Sequence, residues 1–436
     1  MILSHGLIVV LAVVLLLVLI AVRAPIFIAL SVSGIGGLLC LSGFGGLKLV
    51  PLAMGAQLQE YALVAAPLYI LLGEALAVTG LGRDLFGAAH RWFTRVPGGL
   101  GASAVASSTL FGAMSGVSIS SVALIGRMAV PEMLSRGYKP GFAAGSVAAS
   151  GALAMLIPPS LMFILYASVT GESVAELFAG GIVPGLLLAV LMIGYVVVRA
   201  KLSPDSAPRD GERFSWRERW AAIGKITPAL VLIALVLGSI YTGFATPTEA
   251  AAIGALLAFA MTGLVYRKLG WQNLKLIFAS TATVSAAMLA IVGSAFVFTQ
   301  MLVVARVPEA LTDFVLGLDV HPYVVLIGIM LVLILLGCLV DAASLLLVVT
   351  PILVPAIEEL GFDPLWFGVL LVVNLEMAVI TPPVGLNLYT MKSVVPELDL
   401  GDIFRGIAPY LVIEFALIVL MITVPGTATY LPSVIT

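Results

Sequence analysis

Long apolar runs separated by short polar or basic breaks dominate the chain. Runs able to cross about 30 Å of hydrocarbon as helices lie at residues 6–22, 25–44, 62–80, 141–168, 174–198, 226–241, 247–266, 276–305, 365–391 and 407–425. The run at 226–241 is short and extends into its flanks. Two further segments, 99–131 and 320–359, are interrupted near the middle by Gly112-Ala-Met-Ser-Gly-Val-Ser-Ile-Ser120 and Gly337-Cys-Leu-Val-Asp-Ala-Ala-Ser344. Each reads as a re-entrant hairpin or as two short spans, and the topology elsewhere is the same either way. A transmembrane β-barrel would alternate apolar and polar residues. The pattern therefore predicts an all-α polytopic membrane protein of about ten spans.

Composition agrees. Of 436 residues, 61% are hydrophobic and 10% charged, against roughly 45–50% and 25% in soluble domains. The formal charge of −2 leaves no basic footprint for nucleic acid. Cys40 and Cys338 sit in apolar stretches, and His5, His90 and His321 are scattered, so neither a disulfide framework nor a transition-metal site is expected. The opening apolar run has an uncharged start and no small-residue cleavage pattern, and is read as a retained helix rather than a signal peptide.

The basic residues give an orientation. With the N-terminus outside, ten alternating spans, and both interrupted segments returning to their side of entry, all but Lys48 and Arg306 of the 21 Lys and Arg residues face the cytoplasm. By the positive-inside rule both termini are then periplasmic and the address is a bacterial inner membrane. The polar stretch 199–225 reads as a cytoplasmic linker. Trp216 and Trp220 suggest an interfacial amphipathic helix near its end, and a regulatory or partner-binding loop is the alternative.

The two sides of that linker repeat one another. At an offset of 224, Ser120, Pro131, Gly137, Pro140, Pro158 and Pro159 match Ser344, Pro355, Gly361, Pro364, Pro382 and Pro383. One residue of slippage later, Gly181, Ile182 and Pro184 match Gly406, Ile407 and Pro409. Residues 1–198 and 226–436 thus form two repeats, each with five spans and one interrupted segment. Five is odd, so the second repeat enters the membrane with opposite polarity. Inverted repeats are a secondary-transporter architecture, with sites near the midplane at the repeat interface.

Chemistry gathers where the repeat matches itself. Consecutive prolines in mid-span, Ile157-Pro158-Pro159-Ser160 and Ile380-Thr381-Pro382-Pro383, break the helices at 141–168 and 365–391. Freed carbonyls at that depth need protein, water or an ion. Na⁺ accepts such carbonyls together with hydroxyls, and Ser160, Thr381 and Asn387 are nearby. The half-helix after each break presents a positive dipole end to a carboxylate. A structural kink is the alternative for one site, and is weaker for two matched sites. Ser115, Gly116, Ser118, Ser120 and Ser121 crowd the first interrupted turn; Gly337, Asp341 and Ser344 mark the second. Tight packing of small residues competes there with ion binding. Asp341, an acid at a hairpin tip, is a functional candidate by default. Glu74, Glu376 and Glu414 also fall within spans, where structural pairing competes with transport; Arg127 reads as interfacial.

The chain resembles, nearly end to end, the large membrane subunit of TRAP transporters, the tripartite ATP-independent periplasmic carriers. The resemblance rests on the segment 112–121, Leu156-Ile-Pro-Pro-Ser160, Ala245-Thr-Pro-Thr-Glu-Ala-Ala-Ala252 and Ile380-Thr-Pro-Pro-Val-Gly-Leu-Asn-Leu-Tyr389. It implies Na⁺-coupled import of an organic anion such as a sialic acid or a C4-dicarboxylate, with no organic cofactor. It implies a separate small four-helix membrane subunit and a periplasmic substrate-binding protein as partners. It also implies an elevator-type mechanism in which hairpins and broken helices slide past a scaffold within the lipid bilayer. Carried onto this sequence, one sodium site draws on Ser115, Gly116, Ser118, Ser120, Pro158 and Ser160. The second draws on Gly337, Asp341, Ser344, Thr381, Pro382 and Asn387. Substrate would lie against Ser118, Ser120, Pro159, Asp341, Pro383 and Asn387. A stand-alone divalent-anion/sodium symporter is the nearest rival, but its Ser-Asn-Thr tip triplet is absent. An intramembrane hydrolase lacks a serine–histidine pairing here, and an ion channel would not need inverted broken helices.

Overall fold

The computed structural model describes residues 4–208, 211–318 and 320–435. Arg209, one of the basic residues assigned to the cytoplasmic face, lies outside them. The described residues are helical throughout, with no strand. The first part runs α1 (His5–Ala21), α2 (Ile26–Ser42), α3 (Leu49–Leu58), α4 (Tyr61–Ala77), α5 (Leu81–Phe93), α6 (Gly99–Ser115), α7 (Ser118–Ser135), α8 (Pro140–Ala152), α9 (Leu161–Thr170) and α10 (Val174–Leu202). The second runs α11 (Trp216–Tyr241), α12 (Pro247–Ala260), α13 (Trp271–Val304), α14 (Val307–Leu316), α15 (Pro322–Gly337), α16 (Ala342–Glu359), α17 (Pro364–Ile380), α18 (Leu386–Val394), α19 (Leu400–Thr423) and α20 (Gly426–Ile435). Among the described residues, seven helical stretches are individually long and apolar enough to cross a membrane, including a continuous path from Ile26 to Leu58. The halves of each proline-broken span fall short of that length individually, as a break in mid-span requires.

Helix starts follow local chemistry. Within Ala245-Thr-Pro-Thr-Glu, Thr246 Oγ1 accepts from the Glu249 amide at 3.3 Å while Glu249 Oε2 accepts from the Thr246 amide at 2.8 Å. This capping box, with Pro247 in the first turn, satisfies otherwise orphaned donors. The motif therefore starts a helix rather than lining the central cavity. Ser215 and Glu218 cap α11 in the same way. That cap places Trp216 and Trp220, where an interfacial helix was expected at the end of the linker, at the start of α11. The tryptophans occupy the first turns of one continuous helix of 26 residues, which runs on through Pro228. Both are largely exposed, and both pack edge-on against Trp92 of α5.

The sequence pattern did not anticipate α5 and α14 as separate elements. In the element order each stands directly before a hairpin, and α5 joins α4 at a bend of 70°.

The core is built on the first halves of the broken helices. Every residue from 143 to 160 is buried, as is every residue from 365 to 376. α8 achieves this with Ala, Gly and Ser, which let neighbouring backbones touch. At its crossing with α19, a methyl added to Gly145 would overlap the Gly406 carbonyl, and one on Gly406 would overlap the Gly141 carbonyl. Packing is reciprocal between the two parts: α4 lies along α12 and α2 along α13, while α7 packs on α18 and α9 on α16.

Candidate functional site

The first interrupted segment folds as a helical hairpin. Gly116 ends α6 with φ +62°, a left-handed conformation that glycine adopts without a Cβ penalty. Its amide donates to the Gly112 carbonyl at 2.8 Å. Across the hairpin, the Ser121 hydroxyl donates to the Ser108 carbonyl at 3.3 Å. The tip backs directly onto the first proline break: a Cβ on Gly116 would stand 2.8 Å from the Pro159 carbonyl oxygen. Pro158 and Pro159 are buried and joined by a cis peptide bond, and the Ser160 hydroxyl donates to the Met155 carbonyl within the break.

The second half repeats this arrangement with a looser finish. Gly337 ends α15 against Ala378 of α17, where an added methyl would overlap the Ala378 side chain. Asp341 caps α16, its Oδ1 accepting from the Ser344 amide at 3.0 Å. Its Oδ2 and the Ser344 hydroxyl are buried, with no partner among the described residues outside the Asp341–Ser344 turn itself. At the break, the Thr381 hydroxyl donates to the Met377 carbonyl at 2.5 Å. Pro382 is half-buried and Pro383 exposed, in contrast to the sealed Pro158–Pro159 pair.

At the tips, a side-chain contact joins the two halves. The Ser118 hydroxyl donates to Asn387 Oδ1 at 3.0 Å and accepts from Asn387 Nδ2 at 2.8 Å; Nδ2 also reaches the Ala148 carbonyl at 3.3 Å. Asn387 therefore ties the first hairpin tip, α8 and the second broken span together. The sequence reading had placed Ser118 and Asn387 in different sodium sites while including both in the substrate site.

Ser118, Asp341 and Asn387 line a cavity of about 340 Å³. Its remaining wall is mostly apolar, with Leu161 and Met162 from α9 and Thr283, Ala287 and Met288 from α13. Ser115, Ser120, Pro158, Pro159, Ser160, Gly337, Ser344, Thr381, Pro382 and Pro383 are outside this lining. The α13 face was missed by the sequence reading. Its signal is only a helical spacing of Thr283, Ala287 and Ile291 inside a long apolar run.

The starts of four helices meet at this cavity. Ser118 opens α7, Leu161 opens α9, Ala342 opens α16 and Leu386 opens α18. An N-terminus carries unsatisfied N–H groups and the positive end of the helix dipole. No side chain caps α7, α9 or α18, whereas Asp341 caps α16. No Lys or Arg lines the cavity, so helix ends are its main positive groups. The opposing C-terminal ends of α6, α15 and α17, and the 3₁₀ turn Leu153–Met155 after α8, bring carbonyl ends to the same tips and breaks. Glu376 and Glu414 are fully buried, and their carboxylate oxygens have no hydrogen-bond partner. They belong to α17 and α19 and do not line the cavity. Glu74 is half-buried and Arg127 exposed.

Residues 13–427 match the sequence family described as the tripartite ATP-independent periplasmic transporter, DctM component. The C4-dicarboxylate TRAP transporter large permease protein DctM of Pseudomonas aeruginosa is 34% identical over 86% of this chain and 87% of its own length. The sialic acid TRAP transporter large permease protein SiaM of Vibrio cholerae is 30% identical over 93% of each. Among solved structures, the YdaH transporter of Alcanivorax borkumensis superposes with a TM-score of 0.56 at 17% identity, covering 90% of this chain and 91% of that one. The last is a likeness of fold alone.

Proposed function

Because this chain belongs to the DctM component family of TRAP transporters, a family of membrane permeases and not of enzymes, we propose that its central cavity carries a small organic anion across the bacterial inner membrane, driven by Na⁺. The observation that supports this most directly is the meeting of four helix starts at one cavity without a basic side chain. Uncapped N–H groups bind a carboxylate through oriented dipoles. They do so without a fixed cation that would hold the anion too tightly to release.

The same polarity separates ion from substrate. Na⁺ belongs at the carbonyl ends of the helices facing the tips. One ion is assigned to Ser115, Gly116, Ser118, Ser120 and the break at Pro158–Ser160. The other is assigned to Gly337, Asp341, Ser344, Thr381, Pro382 and Asn387. The buried Asp341 carboxylate gives the second site its charge. Asp341 also offsets the α16 dipole, so the anion sits toward α7, α9 and α18, against Ser118 and Asn387. C4-dicarboxylates and sialic acids, named for two relatives, are the first substrates to test.

Residues 1–198 and 226–436 act as inverted repeats, with both termini periplasmic. Large permeases of this family work with a small membrane subunit and a periplasmic binding protein, and the binding protein delivers the anion. The hairpins and broken helices, α6–α9 and α15–α18, move as one body past α13 in an elevator motion. Proteoliposomes containing the three components should accumulate the anion under an inward Na⁺ gradient. Equal uptake when K⁺ replaces Na⁺ would refute the coupling.

A further inference from the structure

A second cavity, about 590 Å³ in volume, lies between α8, α10 and α19. It is chemically opposite to the central one. Lys139, Arg199 and Arg405 line it with a single carboxylate, Asp402. None of the three cations pairs with a carboxylate among the described residues. The cavity sits on the face that the distribution of basic residues assigns to the cytoplasm.

Three further observations point to a ligand. Tyr410 lines the cavity and is 1% exposed, and its hydroxyl has no hydrogen-bond partner. Its ring is held edge-on against Tyr195, at 5.1 Å between centroids. The first turn of α8 faces the same space through Gly141 and Phe142, whose amides have no carbonyl one turn earlier in the helix. The fold itself does not demand the cations. The stretch Gly137-Tyr-Lys-Pro140 matches Gly361-Phe-Asp-Pro364 in the second half, so the counterpart of Lys139 is Asp363. At the later offset of 225, the counterpart of Arg405 is Gly180 and that of Arg199 is Val424.

We propose that this cavity binds the phosphate of an anionic phospholipid headgroup, through Lys139, Arg199 and Arg405 with the Tyr410 hydroxyl as an additional donor. A lipid fits better than a free anion because exposed apolar side chains stand within about two turns of the lining residues along α10 and α19. Val198 and Leu202 of α10 and Val412 and Phe415 of α19 are exposed and give acyl chains a path beside the headgroup. Basic pockets between spans on the cytoplasmic side are suited to such headgroups. A bound lipid would bridge α19 to α8 and α10 at the point where Gly145 and Gly406 bring the α8 and α19 backbones together.

The test uses native mass spectrometry and thermal unfolding of the full chain in detergent. The probes are phosphatidylglycerol, phosphatidylcholine and inorganic phosphate. Phosphatidylglycerol should bind and raise the melting midpoint, with little effect from the other two. The variant Lys139→Gln/Arg199→Gln/Arg405→Gln should bind it about tenfold more weakly or worse, equivalent to about 1.4 kcal/mol. Tyr410→Phe keeps the buried ring and should weaken binding less. If the triple variant fails to fold, Arg405→Gln, which alters one exposed side chain, replaces it and should still weaken binding. Equal binding of phosphatidylcholine, or unchanged binding by the folded charge variants, would overturn the site. Protection by inorganic phosphate equal to that by phosphatidylglycerol would overturn the lipid assignment.

Discussion

Asn387 is the position where the anion-binding argument is most exposed to test. Its amide bridges Ser118 and the Ala148 carbonyl, and it lies in the first turn of α18 on the cavity wall. Two substitutions separate its structural and electrostatic roles. Asn387→Leu removes the hydrogen bonds and puts an apolar side chain of similar size in their place. Leaving one buried partner unsatisfied costs about 1–3 kcal/mol, so transport should fall by about tenfold to a hundredfold. Asn387→Asp also loses the amide donors, and it places a negative charge where the proposed substrate carboxylate would bind. Two carboxylates about 4 Å apart at an effective dielectric of about 20 repel by ~4 kcal/mol, a factor of about a thousand. The assay is initial uptake by proteoliposomes across a range of substrate concentrations, with thermal unfolding as the control for folding. The aspartate variant should show the larger rise in KM, by about tenfold or more over the leucine variant. An aspartate variant equal to or milder than leucine would refute the claim that the helix starts form an anion site.

Gly116→Ala should lower both the melting midpoint and transport, because φ +62° and the 2.8 Å approach to Pro159 add a left-handed penalty of about 1–2 kcal/mol to a steric one; thermal unfolding checks it. Glu212, in the linker, accepts from Arg136 at 3.0 Å and lies 3.3 Å from His90 Nε2. Burial raises its carboxyl titration, but the hydrogen bonds from His90 and Arg136 outweigh that and hold it below the ordinary value of 4.5. A folded pKa below the unfolded one stabilises at higher pH, and the gain is lost as pH falls through the folded value. Because the side chain is 45% exposed, the effect is at most about 1 kcal/mol. Glu212→Gln should therefore melt slightly earlier at pH 7, with the difference vanishing below pH 4.5; a difference that grows in acid would contradict the sign. Ile119 of α7 and Ala287 of α13 line the central cavity from different elements. Cysteines at both, bridged by a bifunctional maleimide, should stop uptake if the hairpin slides past α13, and uptake at the unbridged rate would refute the elevator motion.

Much of the architecture was legible because proline and glycine act locally. Pro158–Pro159 and Pro382–Pro383 remove amide donors wherever the chain places them, so both breaks appear within the expected spans. Gly116 and Asp341 mark helix ends through a backbone preference and a cap, and both tips followed from them. The Ser118–Asn387 contact joins residues 269 apart in sequence and depends on cross-packing of α7 with α18, for which no local pattern exists. The α13 wall was hidden for a similar reason: in a helix apolar on nearly every face, a cavity-facing stripe looks like a lipid-facing one. Trp216 and Trp220 read as an interfacial helix at the end of the linker, and nothing in their local pattern shows that the same helix runs on into the span. The Ser215–Glu218 box instead starts the span itself.

The central claim, that a carboxylate binds at the three uncapped helix starts of the cavity and is loaded with Na⁺, is tested most directly by substrate protection of a cavity thiol. Ile119→Cys is placed in a background with Cys40 and Cys338 replaced by alanine, since the former is exposed. The full chain, assembled with its small subunit, is labelled with a maleimide in the presence of succinate or a sialic acid. Labelling should slow with the accepted anion in Na⁺ and remain fast with the same anion in K⁺. Protection that is equal in the two salts, or absent with every carboxylate tried, would contradict the account.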